Sequence, residues 1–178
     1  MRIGLVRHFK VDLYRSRFMT SREYNEHMYN YDRAEVIPNE LVIDKDWDKC
    51  YCSSMPRAIT TARTIYHGDM IITDKLVEIP AAAWLNLNIK LPYYLWAVLA
   101  RFAWMRNHFS QPEGRIKTLK RINEILNVIL SENEKDSNIL IVSHAGTLYE
   151  IKKLLRKKGF KGEGFLKASN GRLYVYER

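Results

Sequence analysis

The sequence contains few of the residues that mark secreted, fibrous or membrane-spanning proteins. Two cysteines, five prolines and eight glycines in 178 residues exclude a disulfide-rich scaffold and a Gly- and Pro-rich chain. The longest apolar stretch, residues 91–105, is shorter than a bilayer span and is interrupted by Arg101. The apolar run near Met1 is too short for a signal peptide. We therefore expect a folded globular protein with no membrane span.

The two cysteines do not indicate a disulfide or a metal site. Cys50 and Cys52 are one residue apart, which places both on the same face of a strand. A disulfide between residues so close along an extended chain has poor geometry. Two free thiols are typical of a reducing compartment, so we expect a cytoplasmic protein. Zinc needs more ligands than this pattern offers, and we expect no metal and no other cofactor.

The chain carries an excess of positive charge. Its formal net charge is +9 and its pI is about 9.5, which favours anionic partners: phosphorylated metabolites, nucleic acid or an acidic membrane surface. Part of the excess lies between Lys152 and Lys161 and is typical of a solvated helix face. No recognition motif accompanies these charges, so we expect no specific nucleic-acid binding. The sequence leaves the oligomeric state open.

Apolar runs that end in polar residues alternate with helical patterns along the chain. Strands are predicted over 3–6, 50–53, 70–72 and 138–143, and helices over 21–31, 58–66, 92–108, 113–130 and 148–158. Thr20 and Glu23 predict a capping box for the first helix, and a terminal strand pair is predicted within 166–176 around Asn170-Gly171. The alternation predicts an α/β fold in a single domain, residues 1–178. We expect a three-layer sandwich whose mostly parallel central sheet has helices on both faces.

Polar residues of unusual chemistry follow three of the predicted strands. They are Arg7-His8, the segment 53–57 with Arg57, and Ser143-His144. Because sites in open α/β sheets form outside the carboxyl ends of the strands, these three ends should meet. The planar arginine fork matches phosphoryl oxygens, and nearby cations keep a histidine neutral and nucleophilic. The pattern therefore indicates phosphoryl chemistry.

These residues also carry a resemblance to a known family. Leu5-Val6-Arg7-His8, then Ser53-Ser54-Met55-Pro56-Arg57-Ala58-Ile59-Thr60-Thr61-Ala62, then Val142-Ser143-His144-Ala145-Gly146 resemble the three signatures of the histidine phosphatase superfamily, which has the phosphoglycerate mutase-like fold. The signatures occur in the order of the family and span nearly the whole chain. The resemblance implies a phosphomonoesterase that hydrolyses a small anionic phosphorylated substrate through a phosphohistidine intermediate.

The resemblance assigns roles to individual residues. It implies that His8 is the nucleophile, that Arg7 and Arg57 bind the phosphoryl oxygens, and that His144 donates a hydrogen bond to the phosphoryl group. Glu78, in Leu76-Val77-Glu78-Ile79, resembles the general acid of the family, and Trp84 follows at the usual distance. Glu78 would protonate the leaving oxygen and then assist water. No metal is implied, because the arginines stabilise the phosphoryl charge.

Several positions depart from the pattern of the family. Phe9 and Lys10 follow His8 where the family usually has glycine and glutamate, and alanine replaces glycine at Ala82 and Ala145. We expect Phe9 to narrow the pocket or to give it an apolar wall. The departures remove no reactive side chain but change the surroundings of the substrate. The predicted substrate-binding residues are Arg7, Arg57, His144, Ser53, Phe9, Lys10 and Ala145.

The aromatic segment 84–115 lies where family members carry a helical insertion over the active site. It is a candidate lid for an apolar or aromatic leaving group, and core packing or a subunit interface are alternatives. Two other functions remain open from the sequence. One is a phosphoglycerate mutase-like phosphoryl transferase, and the other is a catalytically weak binding or regulatory protein on the same fold.

Overall fold

The computed structural model describes residues 1–38, 41, 43, 47–134 and 136–178. The strands are β1 (Arg2–Arg7), β2 (Lys10–Val11), β3 (Phe18–Met19), β4 (Val36–Ile37), β5 (Lys49–Ser53), β6 (Met70–Thr73), β7 (Leu91–Pro92), β8 (Asn138–Ser143), β9 (Lys161–Gly162) and β10 (Leu173–Glu177). The helices are α1 (Ser21–Arg33), α2 (Pro56–Ile65), α3 (Tyr93–Met105), α4 (Arg115–Glu132) and α5 (Ala145–Lys157), with a 3₁₀ turn at Asp74–Leu76.

A six-stranded sheet in the order β6-β5-β8-β1-β10-β9 forms the centre of the described residues. The strands β6, β5, β8 and β1 run parallel, whereas β10 is antiparallel to β1. The mostly parallel α/β sheet is therefore confirmed. Short strands pair outside it, β2 with β4 and β3 with β7.

Helices cover both faces of the sheet. On one face, Ile3, Leu5 and Ile141 pack against apolar side chains of α4 and α5, including Ile125 and Ile151. The opposite face packs on α2, whose Ala58 and Ala62 contact the second cluster with Val6, Val142 and both cysteines. Because both faces are covered, β8 and β1 are buried along almost their whole length.

The predicted terminal hairpin around Asn170-Gly171 is wrong. β10 pairs with β1 on one side and with β9 on the other, and no strand is assigned within the described residues 163–172. Gly171 has φ +58, which suits a turn. Its N–H donates to the Arg7 carbonyl at 2.9 Å, and the Asn170 side chain bonds to the chain beyond β1. The Asn-Gly pair is therefore a loop that closes over the end of β1.

Two helices extend the fold beyond the sheet. The capping box of α1 forms as predicted, with Thr20 accepting from the N–H of Glu23 and Glu23 from the N–H of Thr20. Trp96 of α3 stacks on Tyr24 of α1, with ring centroids 6.1 Å apart, and its indole donates to the Met19 carbonyl at 2.7 Å. The pair α1 and α3 forms one wall of a large cleft above the carboxyl ends of the parallel strands.

Candidate active site

The carboxyl ends of β1, β5 and β8 bring the predicted polar residues to one place. Arg7 at the end of β1 lies in register with Ser143 at the end of β8. The next residue on each chain is a histidine, and the rings of His8 and His144 have centroids 5.1 Å apart. The structure therefore assembles residues that are 136 positions apart in sequence into one pocket.

The His8 side chain is held in one orientation and one protonation state. It is 1% exposed, and its Nδ1 lies 2.6 Å from the Phe9 carbonyl. A carbonyl only accepts hydrogen bonds, so Nδ1 carries the proton and Nε2 keeps its lone pair. Burial, followed by the charges of Arg57 and Arg7, lowers the pKa of His8 to about 3. The imidazole is therefore neutral near pH 7 and suited to nucleophilic attack through Nε2.

Asn170 fixes the main chain at His8 and Phe9. Its Nδ2 donates to the His8 carbonyl at 2.7 Å and to the Phe9 carbonyl at 3.2 Å. The Phe9 carbonyl is the same acceptor that orients His8. Sequence reasoning missed this residue because Asn170-Gly171 has the composition of a hairpin turn, and its partners lie at the opposite end of the chain.

His144 is completely buried beside His8. Its Nε2 lies 2.8 Å from Ser53 Oγ, which also accepts from the Met55 N–H at 3.2 Å. The Ser53 hydroxyl proton is free to point at Nε2, which favours the tautomer that carries hydrogen on Nδ1. Burial is the largest cause that lowers the pKa of His144, and the charge of Arg57 is the next. A neutral His144 then offers Nδ1–H as a donor.

Arg57 lies in the first turn of α2, and Asp32 holds one end of it. Its Nη1 lies 3.1 Å from Asp32 Oδ1 and also donates to the Asp32 carbonyl at 3.3 Å. The guanidinium carbon lies 5.0 Å from the centre of the Tyr31 ring. Burial raises the pKa of Asp32, and Arg57 opposes that shift. No periodicity or motif marks Asp32, and sequence reasoning missed it.

Four buried nitrogen atoms around His8 make no hydrogen bond within the described part of the chain. They are Arg7 Nε, Arg57 Nε, Arg57 Nη2 and His144 Nδ1. The rest of the Arg7 guanidinium is anchored, because its Nη1 donates to the Ala168 carbonyl at 3.0 Å. Buried donors are normally paired, and an array of guanidinium and imidazole N–H groups is complementary to phosphoryl oxygens. The four atoms thus define a candidate anion pocket next to His8.

Glu78 faces the start of α5 from the neighbouring loop. Its Oε1 accepts from the N–H groups of Ile79 at 2.9 Å, Gly146 at 3.1 Å and Thr147 at 3.2 Å. Its Oε2 has one longer contact, 3.3 Å to the Gly146 N–H. The carboxylate thus satisfies the first N–H groups of the helix, where negative charge is favourable.

Gly146 is needed for the position of Glu78. A Cβ at residue 146 would lie 2.8 Å from Glu78 Oε1. The loop that carries Glu78 is tied to the sheet and to α5, because Ser143 Oγ donates to the Leu76 carbonyl at 2.6 Å and Thr147 Oγ1 to the Val77 carbonyl at 2.7 Å. The side chain of residue 78 therefore has a defined site beside the cleft.

The other predicted substrate-binding residues occupy different places. Lys10 and Ala145 line the cleft, and Ser53 lies behind His144. The expectation for Phe9 is corrected: its ring is 0% exposed and packs in the core under α2, and its carbonyl, rather than its ring, serves the site. Burial of this apolar ring in the cluster that includes Ala58 and Ala62 is favourable.

The cleft above the pocket has a volume of about 1760 Å³. Helix α3, within the predicted insertion 84–115, contributes Tyr93, Arg101 and Trp104 to its lining, so the helix lies along the cleft. No helix among the described residues is long and apolar enough to span a membrane. In the same part of the chain, no group of His, Cys, Asp and Glu side chains is arranged to hold a metal ion.

The chain belongs to the histidine phosphatase superfamily, branch 1, whose family model matches residues 34–177. The match begins after Arg7 and His8, so the place of those two residues in the site is argued from the geometry of the pocket. Among curated proteins no sequence matches the chain.

Solved structures of three phosphatases share the fold. The alpha-ribazole phosphatase from Shigella flexneri has a TM-score of 0.58 and 23% identity, covering 98% of this chain and 89% of its own. A phosphoserine phosphatase from Entamoeba histolytica, in complex with 3-phosphoglyceric acid, has a TM-score of 0.61 and 16% identity over the same shares. A mycobacterial glucosyl-3-phosphoglycerate phosphatase has a TM-score of 0.53 and 16% identity, covering 88% and 79%.

Proposed function

We propose that this protein is a metal-independent phosphomonoesterase that forms a phosphohistidine on His8. The observation that carries the proposal is the pairing of a neutral, oriented His8 with four unpaired buried nitrogen atoms of Arg7, Arg57 and His144. A neutral imidazole provides the nucleophile, and the surrounding N–H groups provide the charge stabilisation that phosphoryl transfer requires.

In the first step, Nε2 of His8 attacks phosphorus and the bond to the leaving oxygen breaks. Glu78 gives its proton to that oxygen. Oε2 is the oxygen suited to carry the proton, since Oε1 already accepts three N–H groups. Arg7, Arg57 and His144 bind the three phosphoryl oxygens as negative charge shifts among them.

In the second step, a water molecule attacks phosphorus and the N–P bond breaks. Glu78 takes a proton from the water, which restores the carboxylic acid, and His8 returns to its neutral form. The N–H groups at the start of α5 hold the Glu78 carboxylate between the two steps. Inorganic phosphate then leaves the pocket.

Hydrolysis is favoured over phosphoryl transfer to a second substrate by the fold neighbours, which their names describe as phosphatases. A catalytically weak protein is the competing reading, since His8 and His144 are 1% and 0% exposed and, unlike Arg7 and Arg57, are not among the residues that line the cleft. The cytoplasmic location remains a prediction from the two free cysteines.

Hydrolysis of para-nitrophenyl phosphate in excess EDTA tests the proposal. We expect His8→Ala to lose at least about a thousandfold in kcat, as expected when a nucleophile is removed. His67→Ala, at an exposed histidine after α2, is the matched control and should keep the native rate. A native rate that EDTA abolishes, or a His8→Ala variant of unchanged activity, would contradict the proposal.

A further inference from the structure

The carboxylates that line the cleft are already engaged. Asp32 pairs with Arg57 at 3.1 Å, Glu113 with Arg121 at 2.8 Å and Glu150 with Lys153 at 2.9 Å, while Glu78 faces the start of α5. The acidic side chains of the cleft are therefore neutralised by groups of the protein itself.

Cationic side chains on the same lining lack such partners. Within the described part of the chain, no carboxylate forms an ion pair with Lys10, Arg15, Arg101, Arg115 or Lys167. Arg7 and Arg57 are proposed to bind the oxygens of one phosphoryl group. The further cations are not part of that set of unpaired nitrogen atoms. The cleft thus carries more positive charge than one phosphate monoester balances.

Arg15 is the cation of this set that is held in place by several contacts. Its Nη2 donates to the Tyr94 hydroxyl at 2.9 Å. Its guanidinium carbon lies 4.6 Å from the centre of the Tyr93 ring and 4.9 Å from that of Tyr94. A guanidinium fixed by stacking loses less freedom when it binds an oxyanion, and its fork fits a carboxylate or phosphate.

A row of rings leads from the nucleophile to Arg15. Tyr31 lies 6.4 Å from His8, His27 lies 6.4 Å from Tyr31, and Tyr93 lies 5.6 Å from His27, all measured between ring centroids. Tyr31, His27 and Tyr93 line the cleft, and we call them the ring wall. Burial and then the charge of Arg15 lower the pKa of His27, which favours its neutral form. Aromatic walls of this kind favour flat unsaturated ligands.

We propose that the leaving group of the substrate contains a flat unsaturated ring that packs on the ring wall and a second oxyanionic group that binds Arg15. This inference rests on the proposed function, because the phosphoryl pocket fixes one end of the substrate. It specifies the substrate class as a ring-bearing phosphate monoester with a second negative charge, which is either a carboxylate or a phosphate.

Phosphonates test this subsite without any turnover, because their carbon–phosphorus bond is not hydrolysed. Calorimetric Kd values are compared for benzylphosphonate, para-carboxybenzylphosphonate and para-xylylenediphosphonate, and for cyclohexylmethylphosphonate as the saturated counterpart. The variants are Arg15→Gln and Tyr93→Leu. Arg17→Gln is the matched control, since Arg17 is an exposed arginine that stacks on Phe18 outside the cleft lining.

In the native protein and in Arg17→Gln, we expect a second oxyanion to tighten binding about tenfold, the effect of one charge-assisted hydrogen-bonded pair. Arg15→Gln should reduce that ratio to less than about twofold while benzylphosphonate binds as before. Tyr93→Leu should remove a preference of about threefold for the aromatic ring over cyclohexyl. The carboxylate and diphosphonate probes show which oxyanion Arg15 prefers.

The results separate this inference from the proposed function. The subsite is overturned if a second oxyanion does not tighten phosphonate binding to the native protein, or if it tightens binding to Arg15→Gln equally. Either result leaves the phosphatase proposal intact. Hydrolysis that does not depend on His8 overturns the mechanism and leaves the binding ratios meaningful. If no phosphonate binds, the phosphoryl pocket itself is wrong and both proposals fail. Should Tyr93→Leu lose its fold by circular dichroism, His27→Leu tests the same ring wall.

Discussion

The phosphoryl pocket and the cleft above it are built by different means. In the pocket, backbone carbonyls fix the reactive groups: Phe9 accepts from His8, Ala168 from Arg7 and Asp32 from Arg57. In the cleft, half-buried rings and exposed cations of α1, α3 and the loops provide the contacts. A pocket fixed by main-chain contacts suits one reaction geometry, whereas a wall of side chains sets which leaving group fits.

The difference predicts that changes in the pocket act on rate and that changes in the cleft act on substrate choice. Apart from loss of His8 itself, the largest effect is expected at Arg57. Arg57→Ala removes two of the four unpaired nitrogen atoms, and loss of such donors costs about 10²–10³ in kcat. Steady-state hydrolysis of para-nitrophenyl phosphate measures it. Arg63→Ala, on the exposed side of the same helix, is the control, and an equal loss there would show that α2 has merely been destabilised.

Gly146→Ala should separate acid catalysis from phosphoryl binding. The added Cβ displaces the Glu78 carboxylate, so kcat for benzyl phosphate, whose alkoxide needs a proton, should fall about a hundredfold. Para-nitrophenyl phosphate has a stable leaving group, and its kcat should fall much less. Gly164→Ala, where a Cβ meets only the end of the Arg156 side chain at 3.2 Å, is the control. Equal losses on both substrates would contradict the role of Glu78.

Asn170→Ala tests whether the loop over β1 positions His8. Two hydrogen bonds to the His8 and Phe9 carbonyls are lost, and we expect kcat to fall by up to about thirtyfold, since each such bond contributes about 1 kcal/mol. KM for para-nitrophenyl phosphate should change less than twofold, because the arginines are untouched. A raised KM with unchanged kcat would instead assign Asn170 to substrate binding.

A smaller effect is expected on the free energy of unfolding, which should decrease gradually at acidic pH because of His8 in the pocket. His8 is neutral in the folded protein down to about pH 3 but ionises near pH 6.5 when unfolded. The unfolded state therefore binds the extra proton in this window, so stability is full above pH 6.5 and falls as pH decreases towards about 3. The slope is at most about 1.4 kcal/mol per pH unit for one histidine.

His8→Gln should reduce that slope by the part that His8 contributes, while buried His144, whose pKa is also lowered, keeps its own part. Urea unfolding of the native protein and the variant at several pH values between 6.5 and 4 makes the comparison, with His67→Gln as the exposed control. Parallel curves for the native protein and His8→Gln would show that His8 is not held neutral by the fold.

The sequence was sufficient to predict that the residues near the strand ends lie together in one site. Arg7-His8, Arg57 and His144 each follow a buried strand, and parallel strands in one sheet must end at a common edge. Asp32 and Asn170 were missed because each acts through one contact with a residue far away in sequence, which no local pattern reports. Phe9 was misplaced because a residue just past a strand end has no alternation to fix its direction.

In the fold, too, the features set by local sequence patterns were predicted and a feature set by contacts distant in sequence was not. The capping box of α1 and the sheet follow from local chemistry and from apolar runs, and both were predicted. The structure at the end of the chain was predicted wrongly, because Asn170-Gly171 has the composition of a hairpin turn. Its hydrogen bonds instead go to the end of β1 and the residues that follow it. Non-local contacts of this kind decide between conformations that the local sequence allows equally.

Identification of the phosphorylated residue during turnover tests the central claim most directly. The native protein is mixed with para-nitrophenyl phosphate, quenched in alkali within milliseconds and analysed by peptide mass spectrometry. We predict an acid-labile phosphoryl group on His8, at Nε2 by phosphorus NMR, and none on His144. A phosphoryl group on another residue, or hydrolysis with no labelled protein at any time under burst conditions, would contradict the phosphohistidine mechanism.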